Sequence, residues 1–345
     1  MNPAFRYFRW PLVVTFSGLV LAYWLGIQWT DSWGGGLSFL MVGAVLAVLE
    51  ISLSFDNAIV NANKLKDMTP IWQKRFLTWG ILIAVFGMRI VFPLLIVVVA
   101  AKLGPIEAVR LAALHPADYA RIIGEAHLSI AAFGGAFLMM VGLSYFVDDS
   151  KDVDWFKLLE CRMRSCASVR GLEIALVLGV TAAVALALPG GTRATFLLSA
   201  VFGLLTFLMV ELLGHLLDSG NATQMAARGG LGAFLYLEVL DASFSFDGVI
   251  GAFALTQNLF LIAIGLGIGA MYVRAMTVML VERKTLAEFR YLEHGAFWSI
   301  LILSFIMFGQ VLWHIPEVVT GLLGAGLIGL SLLSSIRHNR QHSRA

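Results

Sequence analysis

Leu49-Glu50-Ile51-Ser52-Leu53-Ser54-Phe55-Asp56-Asn57-Ala58-Ile59 and Leu240-Asp241-Ala242-Ser243-Phe244-Ser245-Phe246-Asp247-Gly248-Val249-Ile250 are two copies of one stretch. Aligned without gaps, they share Leu, Ser, Ser, Phe, Asp and Ile, and Glu50 meets Asp241 with a carboxylate in both. Each copy lies inside an apolar run long enough to span a bilayer, where an ionisable residue is costly and marks a functional site by default. Two matching acidic segments, one per half, are the signature of a transporter-like internal repeat with its site at the repeat interface.

The rest of the chain fits that class. Of its 345 residues, 59% are hydrophobic and 13% charged, against about 25% charged in a soluble domain. The fold expected is therefore all-α, a polytopic membrane protein, and not a barrel of short alternating strands. A net charge of +2 is too small to suggest a nucleic-acid partner, and the basic residues are better read as topology signals. About 20 apolar residues cross the hydrocarbon core. That rule gives about ten helices, at roughly 11–29, 37–62, 76–101, 128–147, 171–189, 194–217, 231–255, 259–281, 296–313 and 318–335. Breaks fall at Thr30-Asp31-Ser32, Pro189-Gly190-Gly191 and Thr256-Gln257-Asn258. The first span follows Arg6 and Arg9 but ends in bulky residues without a cleavage pattern, so it reads as a retained helix.

Placing both termini in the cytosol puts 18 of the 24 Lys and Arg inside and 4 outside, leaving Arg89 and Arg274 within spans. The motifs then sit on the second and seventh helices, separated by an odd number of helical steps, and run in opposite directions. The chain divides into an N-terminal half, 1–189, with the first acidic motif at 49–59, and a C-terminal half, 190–345, with the second at 238–250. Five plus five helices, or a three-plus-three core of helices 2–4 and 7–9, both satisfy this inverted repeat.

The acids within spans are Glu50, Asp56, Glu238, Asp241 and Asp247, and Ser52, Ser54, Asn57, Ser243 and Ser245 surround them. Carboxylate, hydroxyl and amide oxygens suit hard cations such as Mg²⁺, Ca²⁺ and Mn²⁺. Residues six apart lie about 120° off a common helical face. Glu50 and Asp56 therefore need an unwound segment to share an ion, or else they divide the labour; Gly248 eases such a break in the second copy. Arg89 and Arg274 follow the motifs by one helix each and are suited to pair with motif acids when no cation is bound. Glu211, His215 and Asp218 share a face of the sixth helix, with Glu211 an accessory proton or cation site.

Other features carry ordinary readings. Cys161 and Cys166 are reduced thiols in a cytosolic loop. Asp148, Asp149, Asp152 and Asp154 form a solvated acidic run or a cation-collecting vestibule. Gly265, Gly267 and Gly269 are close-packing material, and Met139 and Met140 are core. There is no nucleophile–base spacing, so no enzyme is expected.

At these residues the sequence resembles the TerC family of integral membrane proteins. Glu50 through Asn57 is similar to that family's first acidic motif. Glu238-Val239-Leu240-Asp241 through Asp247 is similar to its second. Arg89 and Arg274 stand where the family carries arginines, and Trp313-His314-Ile315-Pro316 resembles a late segment of some members. The likeness covers roughly 37–147 and 231–335, with Gly248 where relatives often have a polar residue. The resemblance implies a transporter of divalent metal cations, with Mn²⁺ export as the expected activity; the carboxylates exceed the two charges of one ion, so some should be protonated when it is absent, and proton exchange is the coupling that follows. It implies the metal as transported substrate, no tightly bound cofactor, and the lipid bilayer as partner. A homo-oligomer is left open. A bacterial inner (cytoplasmic) membrane is the expected location. The alternative is a membrane-assembly or partner-binding protein whose buried acids only knit helices together.

Overall fold

A computed structural model describes residues 5–148, 151, 153–165, 171–218, 230–313 and 315–342. The described residues are helical almost throughout, without strands. In chain order they form α1 (Phe5–Thr30), α2 (Trp33–Leu53), α3 (Phe55–Leu65) and α4 (Pro70–Leu82). A π-helical segment (Ile83–Val91) follows, then α5 (Phe92–Ala101), α6 (Pro105–Leu114), α7 (Pro116–Val147), α8 (Lys157–Ser165) and α9 (Leu172–Ala187). The chain continues with α10 (Gly190–Asp218), α11 (Leu231–Leu255) and α12 (Leu259–Glu282), a single turn at Thr285–Glu288, α13 (Leu292–Gln310) and α14 (Glu317–His342).

Each of the ten expected spans is helical. Among the described residues, seven helices are long and apolar enough to cross a bilayer, and the bent run from α4 through α5 makes an eighth. The other two are α9, which is shorter, and α11, which carries three acids. The protein is an integral membrane protein. Exposed Trp10, Phe16 and Trp24 on α1 and Leu198, Phe202 and Leu205 on α10 are surfaces that lipid, rather than water, covers.

The expected breaks have local causes. Asp31 takes a positive φ of 50°, and Ser32 caps α2 by accepting from the Gly35 N–H at 3.0 Å. The Thr256 region ends α11, and Asn258 caps α12 by accepting from the Leu261 N–H at 3.0 Å. Met139 and Met140 lie in the core, each 1% exposed. Gly265 and Gly269 bring α12 against α2: a Cβ at Gly265 would lie 2.5 Å from Leu46 Cβ, and one at Gly269 2.4 Å from Glu50 Cβ. The glycines thus serve close packing.

The packing exchanges in pairs. α2 packs against α12, as the π-helical segment packs against α11; α3 packs against α13, as α11 packs against α7. The π-helical segment meets α12, and α7 meets α13. Swapping the two halves exchanges the members of the first two pairs and maps the last two contacts onto themselves, and three spans per half take part in these. α1 and α10 stand outside the scheme, since α1 packs on α2 and α12 but α10 on α7 and α11.

Candidate functional site

The two copies of the motif differ in backbone. The first is interrupted at Ser54, between α2 and α3, with φ −101° and ψ 17°. The second runs unbroken through α11, although Gly248 is in it. The expected ease of breaking at Gly248 is not what the chain uses. Gly248 instead makes room: a Cβ there would lie 2.8 Å from Glu50 Oε2. In the first copy the Ser54 hydroxyl turns back to donate to Glu50 Oε1 at 3.1 Å. The kink brings Glu50 and Asp56, which a straight helix keeps apart, to one cavity.

That cavity has a volume of about 30 Å³ and is lined by Glu50, Ser54, Asp56, Gly248, Ser299 and Thr320, among others. It is room for one or two water-sized groups, given about 10–15 Å³ for each. Glu50 is 1% and Asp56 4% exposed. Asp56 accepts from the Asn57 N–H and from the Ser299 hydroxyl, each at 2.8 Å. No basic side chain among the described residues forms a salt bridge with it. Thr320 Oγ1 is buried without a hydrogen-bond partner. Gly324 lets α14 pass close by, since a Cβ there would lie 2.8 Å from Ser299 Oγ.

Glu50 also closes the far wall. Its Oε1 accepts from Arg89 Nη2, while Arg89 Nη1 donates to the Ala84 carbonyl at 2.5 Å. Ala84 and Arg89 both lie in the π-helical segment. Such wide turns shift side chains around the axis and recur at functional sites. Behind this pair is a second cavity of about 20 Å³, lined by Asn57, Asn61, Arg89, Asp241, Arg274 and Thr277 with neighbouring apolar groups. Asn61 Nδ2 donates to Asp241 Oδ1 at 2.7 Å, and Arg274 Nη2 stands 3.5 Å from Asp241 Oδ2. Arg274 Cζ also lies 3.9 Å from the centre of the Phe76 ring. Each arginine is buried and paired with one acid of its own half's motif, Arg89 with Glu50 and Arg274 with Asp241.

The expected site residues are therefore distributed. Glu50, Ser54 and Asp56 share the first cavity. Asn57 and Asp241 share the second with both arginines. Glu238 lines a third, larger cavity together with Ser243. Ser245 is buried with its hydroxyl unpartnered, whereas Ser52 faces outward and donates to the Val48 carbonyl. Asp247 lies on α11 next to cavity-lining Gly248; its side chain, like those of His215 and Asp218, is outside the described residues, as are Cys166, Asp149, Asp152 and His314. Cys161 is exposed and not disulfide-bonded. Glu211 is exposed and lines a polar cavity of about 600 Å³ with Lys64, Lys66, Asp148 and Glu293, away from the motif acids. Asp154 pairs with Arg164 at 2.6 Å. Among the described residues no three or more His, Cys, Asp or Glu converge on a common point. Ser299, Thr320 and Asn61 were not singled out from the sequence. Asn61 had a signal, one helical turn after Asn57; the two hydroxyls had none.

Residues 55–342 match the model of a family described as a protein of unknown function, DUF475. The chain belongs to that family. The match takes in Asp56, both arginines and the whole second motif, and begins five residues after Glu50. No curated protein and no solved structure matches this DUF475 chain.

Proposed function

We propose that the protein is a membrane transporter of hard divalent cations, with Mn²⁺ export as its activity. The observation that carries this reading is the Asp56 carboxylate. It is buried in a cavity of about 30 Å³, beside Glu50 and the hydroxyls of Ser54, Ser299 and Thr320, with no basic side chain among the described residues paired to it. An all-oxygen donor set of that kind suits Mn²⁺ or Mg²⁺ and disfavours copper(I). The likeness of both motifs to those of the TerC family supports the same substrate class. The metal is cargo, and nothing in the reading calls for a tightly bound cofactor or an enzymatic step. A bacterial inner membrane with both termini cytosolic is the matching location, from the bias of Lys and Arg.

In this reading the two halves, 1–189 and 190–345, rock around the cavity. Glu50 and Asp241 hold Arg89 and Arg274 in one state and release them in another. Asp247, which precedes cavity-lining Gly248, joins the metal ligands. The structural alternative has its own support in the two ion pairs, which tie neighbouring helices together.

Flux of Mn²⁺ into proteoliposomes separates the two. Asp56→Asn keeps the volume and removes the charge. On the transport reading flux is lost while the variant inserts and unfolds at a similar temperature. Flux equal to wild type in Asp56→Asn sinks the assignment, and loss of the folded protein in that variant favours the structural role.

A further inference from the structure

The two buried arginines are held differently. Both terminal nitrogens of Arg89 donate, one to Glu50 and one to the Ala84 carbonyl. Arg274 stands 3.5 Å from Asp241 Oδ2, and among the described residues neither of its terminal nitrogens has a hydrogen-bond partner. Beside it is a carboxyl group in the same condition. Glu238 is buried, and among the described residues neither of its oxygens has a partner. Buried polar groups are almost always paired, and each exception calls for an explanation.

Gly80 joins the two. A Cβ there would lie 2.7 Å from Arg274 Nη2 and 2.8 Å from Glu238 Oε1. The guanidinium and the carboxyl group thus flank one gap, which a methyl group would fill. Phe76 lies one turn before Gly80 on the same face of α4, and Arg274 Cζ is 3.9 Å from the centre of its ring. α4 packs against both α11 and α12, where the acids of the one meet the arginine of the other. Glu238 and Asp241 are three apart on α11 and hence neighbours on its surface. The first half lacks this arrangement. Aligning Glu50 with Asp241 sets Ala47 against Glu238, so Arg89 has no second acid of the motif to turn to.

We propose that Arg274 has two seats, Asp241 in this structure and Glu238 when a cation engages Asp241. This rests on the transport reading and names where the released arginine goes. It makes Glu238 a positioning residue and not a metal ligand. A cation on Asp241 repels the guanidinium, and a buried guanidinium without a counter-charge is costly. A swing from one acid to its neighbour on α11 keeps it paired. The face of Phe76 attracts it in both seats, and Gly80 leaves the way open. As a metal ligand, Glu238 would instead draw the cation toward the guanidinium that its Oε1 faces across Gly80.

Mn²⁺ titrated calorimetrically into the purified full-length protein in detergent tests it. Glu238→Gln should weaken Mn²⁺ binding by about 30-fold or more, the lower end for stranding one partner of a buried charge pair. In an Arg274→Gln background the same substitution should cost no more than the roughly twofold scatter of uncoupled sites, because no guanidinium then needs a seat. Gly80→Ala keeps every charge but fills the gap. It should weaken binding as well and add nothing to Glu238→Gln, which keeps the test decisive if Arg274→Gln fails to fold. A loss from Glu238→Gln that persists in full without Arg274 would make Glu238 a ligand and overturn the proposal. So would wild-type affinity in Gly80→Ala, or losses from Gly80→Ala and Glu238→Gln that add. Each of these leaves the transport reading standing. No Mn²⁺ binding by the wild-type protein would sink that reading, and the two seats with it.

Discussion

Glu50 is the least exposed of the described motif acids. Gly248 and Gly269 approach it on two sides, Arg89 and Ser54 bond its Oε1, and it is 1% exposed. Removing one partner of a buried ion pair leaves the other as an uncompensated charge, at a cost of about 3–5 kcal/mol. Glu50→Gln is therefore expected to lose that much stability, measured by denaturant unfolding in one detergent. Adding Arg89→Met should restore most of it, since the stranded charge is then gone. Asp56→Asn keeps an acceptor for Ser299 and Asn57 and should cost about 1 kcal/mol, a single hydrogen bond's worth. If Glu50→Gln costs no more than Asp56→Asn, the pair is not what holds these helices. The acids and arginines were legible in the sequence because charge inside an apolar run has few bland explanations. Ser299 and Thr320 were not, because hydroxyls in membrane helices usually bond their own backbone, as Ser52, Thr206 and Ser243 do. Only the packing of α13 and α14 on α3 tells which hydroxyls turn inward.

Elements add what the motifs alone leave open. Helical spacing offered a break or a division of labour at Glu50 and Asp56; the first copy has the break, a kink at Ser54, and of the two acids Glu50 is the one paired with Arg89. The second copy needs no break, because its Gly248 is spent on clearance for Glu50 and not on bending. Outside the spans, α8 is held by one buried side chain. Glu160 accepts from Trp298 Nε1 at 2.7 Å and from the Trp155 N–H at 3.0 Å, and it lies 2.8 Å from His294 Nδ1. Burial raises its carboxyl, but the hydrogen bonds from His294 and Trp298 outweigh that and bring it down from 4.5 to about 2. A lowered acid stabilises the fold above its ordinary value and loses that contribution as pH falls through the lowered one. The hold on α8 should thus be full above 4.5 and fade toward about 2. A fluorophore on exposed Cys161, with Cys166→Ser as background, reports it through anisotropy. The signal should be steady above 4.5 and drop below it, while Glu160→Gln should read low throughout. Identical pH profiles for the two proteins would show that Glu160 is not the fastening.

For the whole molecule, hydropathy was enough to place all ten helical segments, because the bilayer demands one long apolar run per crossing. It did not reveal that three spans per half pack as exchangeable pairs while α1 and α10 do not; long-range packing leaves no period in the sequence. The same scale decides coupling, which depends on total charge. Five acids and two arginines lie within the spans, and the arginines are matched to Glu50 and Asp241. With two arginines among five acids, three acids are left without one by count. Isolated buried charge is so costly that carboxyl groups there take up protons instead. A divalent cation reverses the preference, because carboxylates must be deprotonated to bind it. On the proposed transport function, each arriving Mn²⁺ should expel protons from the site, and protons entering from the far side should reset it. Proteoliposomes loaded with a pH-sensitive dye should then show protons moving against the metal, and metal affinity should weaken at lower pH. Asp56→Asn should abolish both movements together. Metal flux without counter-movement of protons, with affinity flat from about pH 6 to 8, where perturbed buried acids titrate, would leave facilitated passage and reject exchange.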